Sequence, residues 1–63
     1  MGSMTGARTP QLLTVQETAS RLSLSEREVH RLIANGRLRS LKIGTRRRVE
    51  LAEVARFIES LRG

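Results

Sequence analysis

The sequence predicts a mainly α fold in which three short amphipathic helices enclose a small core, with a two-stranded β-hairpin between the second and third helices. Apolar residues recur at helical spacing in three segments, and two of these segments begin with a capping box. Apolar and polar residues alternate ahead of a glycine-containing turn, which predicts the hairpin. Since 63 residues suffice for only one small core, we predict a single domain over residues 12–63.

Residues 1–11 precede the periodic segments and consist mostly of small and polar residues. The first three, Met-Gly-Ser, lie ahead of a second methionine, Met4, which is typical of an expression-tag remnant. We therefore predict a flexible N-terminal tail over residues 1–11. Within it, Arg8 is a candidate for contact with a phosphate or a minor groove.

The first helix is predicted over residues 15–22. Thr14 and Glu17 match the T-x-x-E capping box that precedes a helix. One face of the segment is apolar and carries Val15, Ala19 and Leu22. Ser23 and Leu24 then form the turn into the second helix, where we expect Leu24 to pack between the two helices. This turn lacks the glycine that many helix-turn-helix sequences have.

The second helix lies in the segment SEREVHRLIANG, from Ser25 to Gly36. Ser25 and Glu28 form a second capping box, and Gly36 follows where a left-handed residue ends a helix. One face is apolar, with Val29, Leu32 and Ile33 at helical spacing. The opposite face is basic and carries Arg27, Arg31 and Ala34, with His30 at its edge. A helix after a tight turn, with arginines on its free face, is typical of a DNA-reading helix.

The segment after Gly36 is strongly basic: residues 37–48 hold half of the Lys and Arg residues and no acid. Leu41 and Ile43 alternate with polar residues, which predicts a strand with one buried face. Gly44 and Thr45 form a tight turn, because glycine tolerates positive φ. The return strand is predicted over residues 46–49 and points Val49 inward.

The third helix is predicted over residues 51–61, where the apolar periodicity is strongest. It begins without a good N-cap, although Glu50 and Glu53 near its first turn suit the helix dipole. Because its charges are slightly acidic, we expect this helix to be scaffold or a protein-contact face and not a DNA contact.

The composition narrows the class of partner. A formal net charge of +6 favours an acidic partner, nucleic acid before membrane. With Phe57 as the one aromatic residue, the chain lacks the stacking platforms of single-strand binders, so we expect double-stranded DNA. No cysteine, paired histidine ligands or catalytic constellation is present, so we expect no metal, cofactor, small-molecule ligand or enzymatic activity. Without an apolar run long enough to span a membrane, we expect a soluble cytoplasmic protein.

From Leu13 to Leu61 the chain resembles the excisionase-type branch of the MerR-like winged-helix domains. The resemblance is carried by three stretches: LLTVQETASRLSLSEREVHRLIANGRL, LKIGTRRRV and LAEVARFIESL. It implies a winged helix-turn-helix fold in which the second helix enters the major groove. The hairpin is then a wing that lies along the backbone or in an adjacent minor groove.

The resemblance also implies which side chains contact DNA. On the recognition helix these are Arg27, His30 and Arg31, with Glu26 near the same end. On the wing they are Lys42, Thr45, Arg46, Arg47 and Arg48, and weaker contacts come from Arg37 and Arg39. Arg47 departs from the family, which often has an apolar or aromatic residue there. Either its stem lies on the core with the guanidinium in solvent, or the hairpin register differs.

Excisionases are small basic proteins that bind adjacent sites on phage attachment DNA, bend it and help an integrase perform excision. The resemblance thus implies an excisionase that has a phage integrase as partner, can associate with itself along the DNA, and acts in the bacterial nucleoid. If no further segment follows the third helix, we expect a stand-alone architectural factor and not an effector-sensing activator. Two alternatives remain: a small MerR-like transcription regulator that binds promoter DNA, and a protein-interaction module that uses the third helix.

Overall fold

The structure, a computed structural model, describes residues 11–63. Along the chain follow β1 (Leu12–Leu13), α1 (Val15–Leu22), α2 (Glu26–Ala34), β2 (Leu41–Ile43), β3 (Arg46–Glu50) and α3 (Leu51–Leu61). The three predicted helices and the hairpin between the second and third are confirmed. Strand β1 was not predicted from the sequence. The predicted tail lies outside the described residues, Arg8 included, except for Gln11.

Both capping boxes form as predicted. At the start of α1, the Glu17 N–H donates to Thr14 Oγ1 at 3.0 Å and the Thr14 N–H donates to Glu17 Oε1 at 2.8 Å. The same reciprocal pair joins Ser25 and Glu28 at the start of α2, at 2.9 and 3.1 Å. Hydrogen bonds from Ser25 lower the pKa of the Glu28 carboxyl. Helix α3 begins without a side-chain cap, because Glu50 makes no such bond.

The turn between α1 and α2 is closed by a left-handed residue that is not glycine. Ser23 has φ 58°, and its N–H donates to the Ser20 carbonyl at 3.2 Å. The next N–H, of Leu24, reaches back to the Ala19 carbonyl at 2.9 Å. This pattern satisfies the last carbonyls of α1 in the way a C-terminal glycine does. Leu24 is half-buried and packs against the core, as expected for a residue between two helices.

The core contains side chains from all three helices, from β1 and β3, and from the segment between α2 and β2. Its most buried apolar side chains are Val29 of α2, Leu38 of the linker between α2 and β2 (residues 35–40), and Val49 of β3, each at most 1% exposed. The other buried apolar residues are Leu13, Ala19, Val54 and Phe57. The inward direction predicted for Val49 is therefore confirmed. None of the helices within residues 11–63 has the length and apolar character needed to cross a bilayer.

The hairpin has the predicted turn and a burial pattern opposite to the predicted one. Gly44 has φ 63°, which suits the first position of a type II′ turn. Leu41 pairs with Arg48, and Ile43 pairs with Arg46. Since paired residues share a face and alternate residues of β3 point to opposite faces, Leu41 and Ile43 point away from the side of Val49. They are 43% and 52% exposed, so the prediction that they form a buried face was wrong.

Strand β1 turns the hairpin into a three-stranded antiparallel sheet with the order β1-β3-β2. Leu13 pairs with Val49 and contributes to the core, while Leu12 pairs with Glu50. One residue earlier, the Gln11 carbonyl accepts from the Leu51 N–H at 2.8 Å. A two-stranded ribbon is marginal by itself, and these bonds anchor the base of the wing to the body of the domain.

Candidate nucleic-acid interface

The outer face of α2 presents the predicted recognition residues together. Arg27, His30 and Arg31 are exposed, and so is Glu26 in the first turn. Val29, on the opposite side, is completely buried and fixes the rotation of the helix about its axis. Because the apolar stripe is held by the core, the basic stripe is displayed to solvent without any further device.

The cations of the wing lie on both of its faces. Lys42 pairs with Arg47 across the hairpin, and both point to the side of Val49. Arg46 and Arg48 point to the other side. All of these are exposed except the half-buried Arg48, and Thr45 at the turn is exposed as well. The predicted wing residues are thus gathered in one hairpin but do not form a single flat patch.

Arg47 pairs with Lys42 and so lies on the inward-facing side of the hairpin, as the resemblance implies, but its side chain is exposed. Its guanidinium Nη1 donates at 2.9 Å to Oγ of Ser40, the residue just before β2. Arg48 Nη1 donates to the Arg47 carbonyl at 2.9 Å. Both acceptors are uncharged oxygens, so neither bond is an ion pair.

A groove connects α2 with the wing. Ile33 on the flank of α2 lines it together with Ser40 and Leu41 and, on the wing, Arg47. Arg31 lies on the other flank of α2, where it lines a second groove with Phe57 and Leu61 of α3. The basic stripe of α2 therefore runs between the wing on one side and the end of α3 on the other.

The ion pairs of the described residues lie on α3 and on Arg62, the residue that follows it. Arg56 and Glu53 are 2.7 Å apart and Arg62 and Glu59 are 3.3 Å apart, each at i, i+3 spacing. Within residues 11–63, no cation of α2 or of the wing has an ion-pair partner. Residues 26–48 hold eight of the twelve Lys and Arg residues of the chain and two of its six acids. The excess positive charge is thus concentrated on α2, the linker and the wing.

The linker between α2 and β2 is held by a contact that no local sequence pattern indicates. The Arg39 N–H donates to Glu53 Oε2 at 2.8 Å, and Arg56 Nη2 donates to the Arg37 carbonyl at 3.1 Å. Hydrogen bonds from Arg56, followed by the bond from Arg39, lower the pKa of Glu53 from 4.5 to about 2. The side chains of Arg37 and Arg39, the weaker predicted DNA contacts, are exposed.

Comparison with known proteins agrees with this geometry. Residues 12–62 match the family described as helix-turn-helix domain. A protein of Streptomyces ambofaciens named Excisionase is 44% identical over 55 residues, which cover 87% of this chain and 89% of that protein. No solved structure matches the chain. The family and the relative indicate a DNA-binding protein that is not an enzyme. The chain belongs to the excisionase family of helix-turn-helix DNA-binding proteins.

Proposed function

We propose that this protein is a sequence-selective excisionase that binds and bends attachment-site DNA and thereby directs a phage integrase toward excision. The observation that carries the proposal is the separation of charge. The arginines of α2 and of the wing have no ion-pair partner within residues 11–63, whereas both ion pairs there lie on α3 and its C-terminal cap. The name of the Streptomyces ambofaciens relative supports the assignment to excision.

In this proposal α2 lies in the major groove and selects bases. An arginine can bind O6 and N7 of a guanine with two hydrogen bonds, and in this proposal the exposed Arg27 and Arg31 make such contacts. His30 lies at the edge of the same face and contacts a base edge or a phosphate. Glu26, in the first turn, either accepts from a cytosine amino group or serves the helix dipole.

The wing contributes mainly phosphate contacts. Its cations occupy both faces of the hairpin, so they suit the two phosphate walls that border a groove better than one flat backbone stretch. Thr45 at the tip and Lys42 on β2 complete this set, and Arg37 and Arg39 extend it along the linker. These contacts position the protein on the duplex and make binding dependent on salt.

A domain this small makes few contacts, which favours binding of several copies to adjacent sites. Each neutralised phosphate contributes about 0.9 to the slope of log affinity against log salt. Neighbouring copies that contact each other would add affinity that one copy lacks, and together they can hold the DNA in a bent path. Self-association along the DNA and the integrase partner are both part of this proposal.

The proposal is tested by gel shift and by recombination. Attachment-site duplex and a shuffled duplex of equal length are titrated at graded salt, and circular permutation of the site measures bending. Excision is then assayed in vitro with the integrase of the same element, with and without the protein. We expect selective, salt-sensitive binding, a bend, and excision that depends on the protein. Binding that shows no salt dependence would contradict the phosphate contacts.

A normal gel shift without any effect on excision would overturn the excisionase assignment and favour the alternative, a small transcription regulator. Transcription from the promoter that carries the bound sites, with and without the protein, then tests this alternative. Loss of function on replacing both Arg31 and Arg48 by alanine separates either DNA-binding role from a protein-interaction module that uses α3.

A further inference from the structure

Glu53 is a buried carboxylate that accepts hydrogen bonds from Arg56 and from the backbone of the linker. It lies on α3 and is 8% exposed. Its Oε1 accepts from Arg56 Nε at 2.8 Å, and its Oε2 accepts from Arg56 Nη2 at 2.7 Å and from the Arg39 N–H at 2.8 Å. The fork geometry of the guanidinium suits this two-point contact. The charge is therefore fully paired although the side chain is removed from water.

These bonds hold the linker from both sides. Arg56 Nη2 also donates to the Arg37 carbonyl at 3.1 Å, so acid and base together hold backbone groups of residues 37 and 39. Between them, Leu38 is 1% exposed and its N–H donates to the Leu32 carbonyl at the end of α2. The linker is thus attached to α2 at one end and to α3 along its middle.

The far end of the linker is attached to the wing. Ser40 Oγ accepts from Arg47 Nη1 at 2.9 Å, which joins the last linker residue before β2 to strand β3. Linker residues 37–40 therefore make hydrogen bonds to α2, to α3 and to the wing. Since the linker is the direct covalent connection from α2 to the wing, its position affects the spacing between the two DNA-contacting elements.

We propose that Glu53 and Arg56 form a positioning pair for DNA recognition, which holds the linker so that α2 and the wing engage one duplex together. The inference rests on the proposed sequence-selective binding. The pair itself need not touch DNA. Neither residue was among the DNA contacts expected from the sequence, because the pair acts through backbone groups of a segment far away in the chain.

The charges of the pair allow a test that separates position from electrostatic field. Glu53→Ala raises the net charge by one and Arg56→Ala lowers it by one. If the pair acted only through its field, the first substitution would tighten binding to any DNA and the second would weaken it. If the pair positions the linker, both substitutions lower the preference for the correct sequence.

The chain offers a matched control on the same helix. Glu59 and Arg62 have the same i, i+3 spacing, but their side chains are 69% and 71% exposed. Glu59→Ala and Arg62→Ala change the net charge in the same way as the test variants without touching the linker. Any effect of charge alone therefore appears equally in test and control variants.

The probe is a duplex selected by the wild-type protein from a random-sequence library, compared with a shuffled duplex of the same composition. We expect Glu53→Ala and Arg56→Ala each to reduce the ratio of the two affinities about tenfold, since each breaks hydrogen bonds to a charged group. The control variants keep the wild-type ratio. Opposite effects of the two test variants, or an unchanged ratio, would overturn the proposal.

A second measurement needs no DNA. Backbone residual dipolar couplings report the orientation of the wing relative to α2 in the free protein. We expect Glu53→Ala to change this orientation while each element keeps its internal couplings, and Glu53→Gln, which can still accept from Arg39, to restore part of it. An unchanged orientation contradicts positioning. All measurements are made well below each variant's melting temperature, with Glu53→Gln as the test variant if Glu53→Ala does not fold.

The two arms separate the two hypotheses. If the wild-type protein selects no duplex over the shuffled one, sequence-selective binding fails, and the dipolar couplings still decide whether the pair orients the wing. If selection succeeds and both arms leave the variants like the controls, the positioning role fails while the proposed function stands.

Discussion

The backbone N–H of Leu24 donates to the carbonyl of Ala19 at 2.9 Å and closes the turn between α1 and α2. The bond requires the intervening Ser23 to adopt φ 58°, a conformation that a side chain disfavours. The angle between the two helices is thus maintained against a local cost at one residue.

Ser23→Gly should stabilise the domain by about 0.5–1 kcal/mol, because glycine adopts this conformation without the penalty. Urea unfolding followed by circular dichroism measures the change. Ser20→Gly, inside α1, provides the control and should destabilise by about 0.5 kcal/mol, because glycine has a lower helix propensity than serine. Equal destabilisation by both substitutions would show that the left-handed turn does not form.

The hairpin register predicts that truncation of two β-branched residues lowers the free energy of unfolding by very different amounts. Val49 is fully buried, and Val49→Ala should cost about 1–3 kcal/mol through lost packing. Ile43 is 52% exposed, and Ile43→Ala should stay within about 0.5 kcal/mol. Thermal unfolding of both variants is the measurement. A large loss for Ile43→Ala would mean that the strand presents its other face to the core.

The lowered pKa of Glu53 predicts a dependence of stability on pH. The folded value, about 2, lies below the usual 4.5. The carboxylate therefore adds stability above about pH 4.5, and this contribution is lost as the pH falls toward 2. Because Arg56 is half exposed, we expect about 2 kcal/mol or less.

This contribution is measured as the difference in unfolding free energy between wild type and Glu53→Gln, at pH 6 and at pH 2.5. The difference should shrink on acidification. For Glu59→Gln, whose ion pair is exposed, the difference from wild type should be small at both pH values. A difference for Glu53→Gln that does not change with pH would contradict the paired carboxylate.

Arginines of the two DNA-contacting elements should fail in different ways. Arg31→Ala should weaken binding to the selected duplex by about 1–3 kcal/mol, since it removes a base contact. Binding to the shuffled duplex should weaken much less. Arg46→Ala should weaken binding to both duplexes equally and lower the slope of log affinity against log salt by about 0.9. Filter binding at four salt concentrations measures both effects.

Arg62→Ala removes one positive charge from the end of α3 and is the control for both variants. It should leave the salt slope and the preference for the selected duplex unchanged. If Arg31→Ala weakened both duplexes to the same degree, α2 would be a phosphate contact and base selection would have to come from elsewhere.

Local signals in the sequence predicted most of the fold. The capping boxes that begin at Thr14 and Ser25 each span four residues and specify where α1 and α2 start. The apolar periodicity of each helix specifies its buried face. The bounds of α3 followed from its strong periodicity even without an N-cap. In each case the information lies within one or two turns of the element that it specifies.

Features that depend on distant residues were missed or wrong. Strand β1 is two residues long and exists through pairing with Val49 and Glu50, which no local pattern indicates. Alternation in β2 showed that Leu41 and Ile43 share a face, but which face is buried depends on the register against β3. Glu53 looked like a helix-dipole partner, while its bond to Arg39 spans fourteen residues.

The candidate site divides in the same way. The exposure of Arg27, His30 and Arg31 followed from the apolar stripe on the opposite side of α2. The distribution of wing cations over two faces did not, because it depends on the pairing of Lys42 with Arg47. Base and phosphate contacts themselves stay predictions for the variants described above.

Because both ion pairs of the described residues lie on α3 and its C-terminal cap, positive charge is distributed unevenly over the protein. The field of a duplex exerts a torque on such a molecule and turns α2 and the wing toward the phosphates before any surface meets. Productive encounters then become a larger share of all collisions at low ionic strength, so dilution of salt should speed capture as well as slow escape.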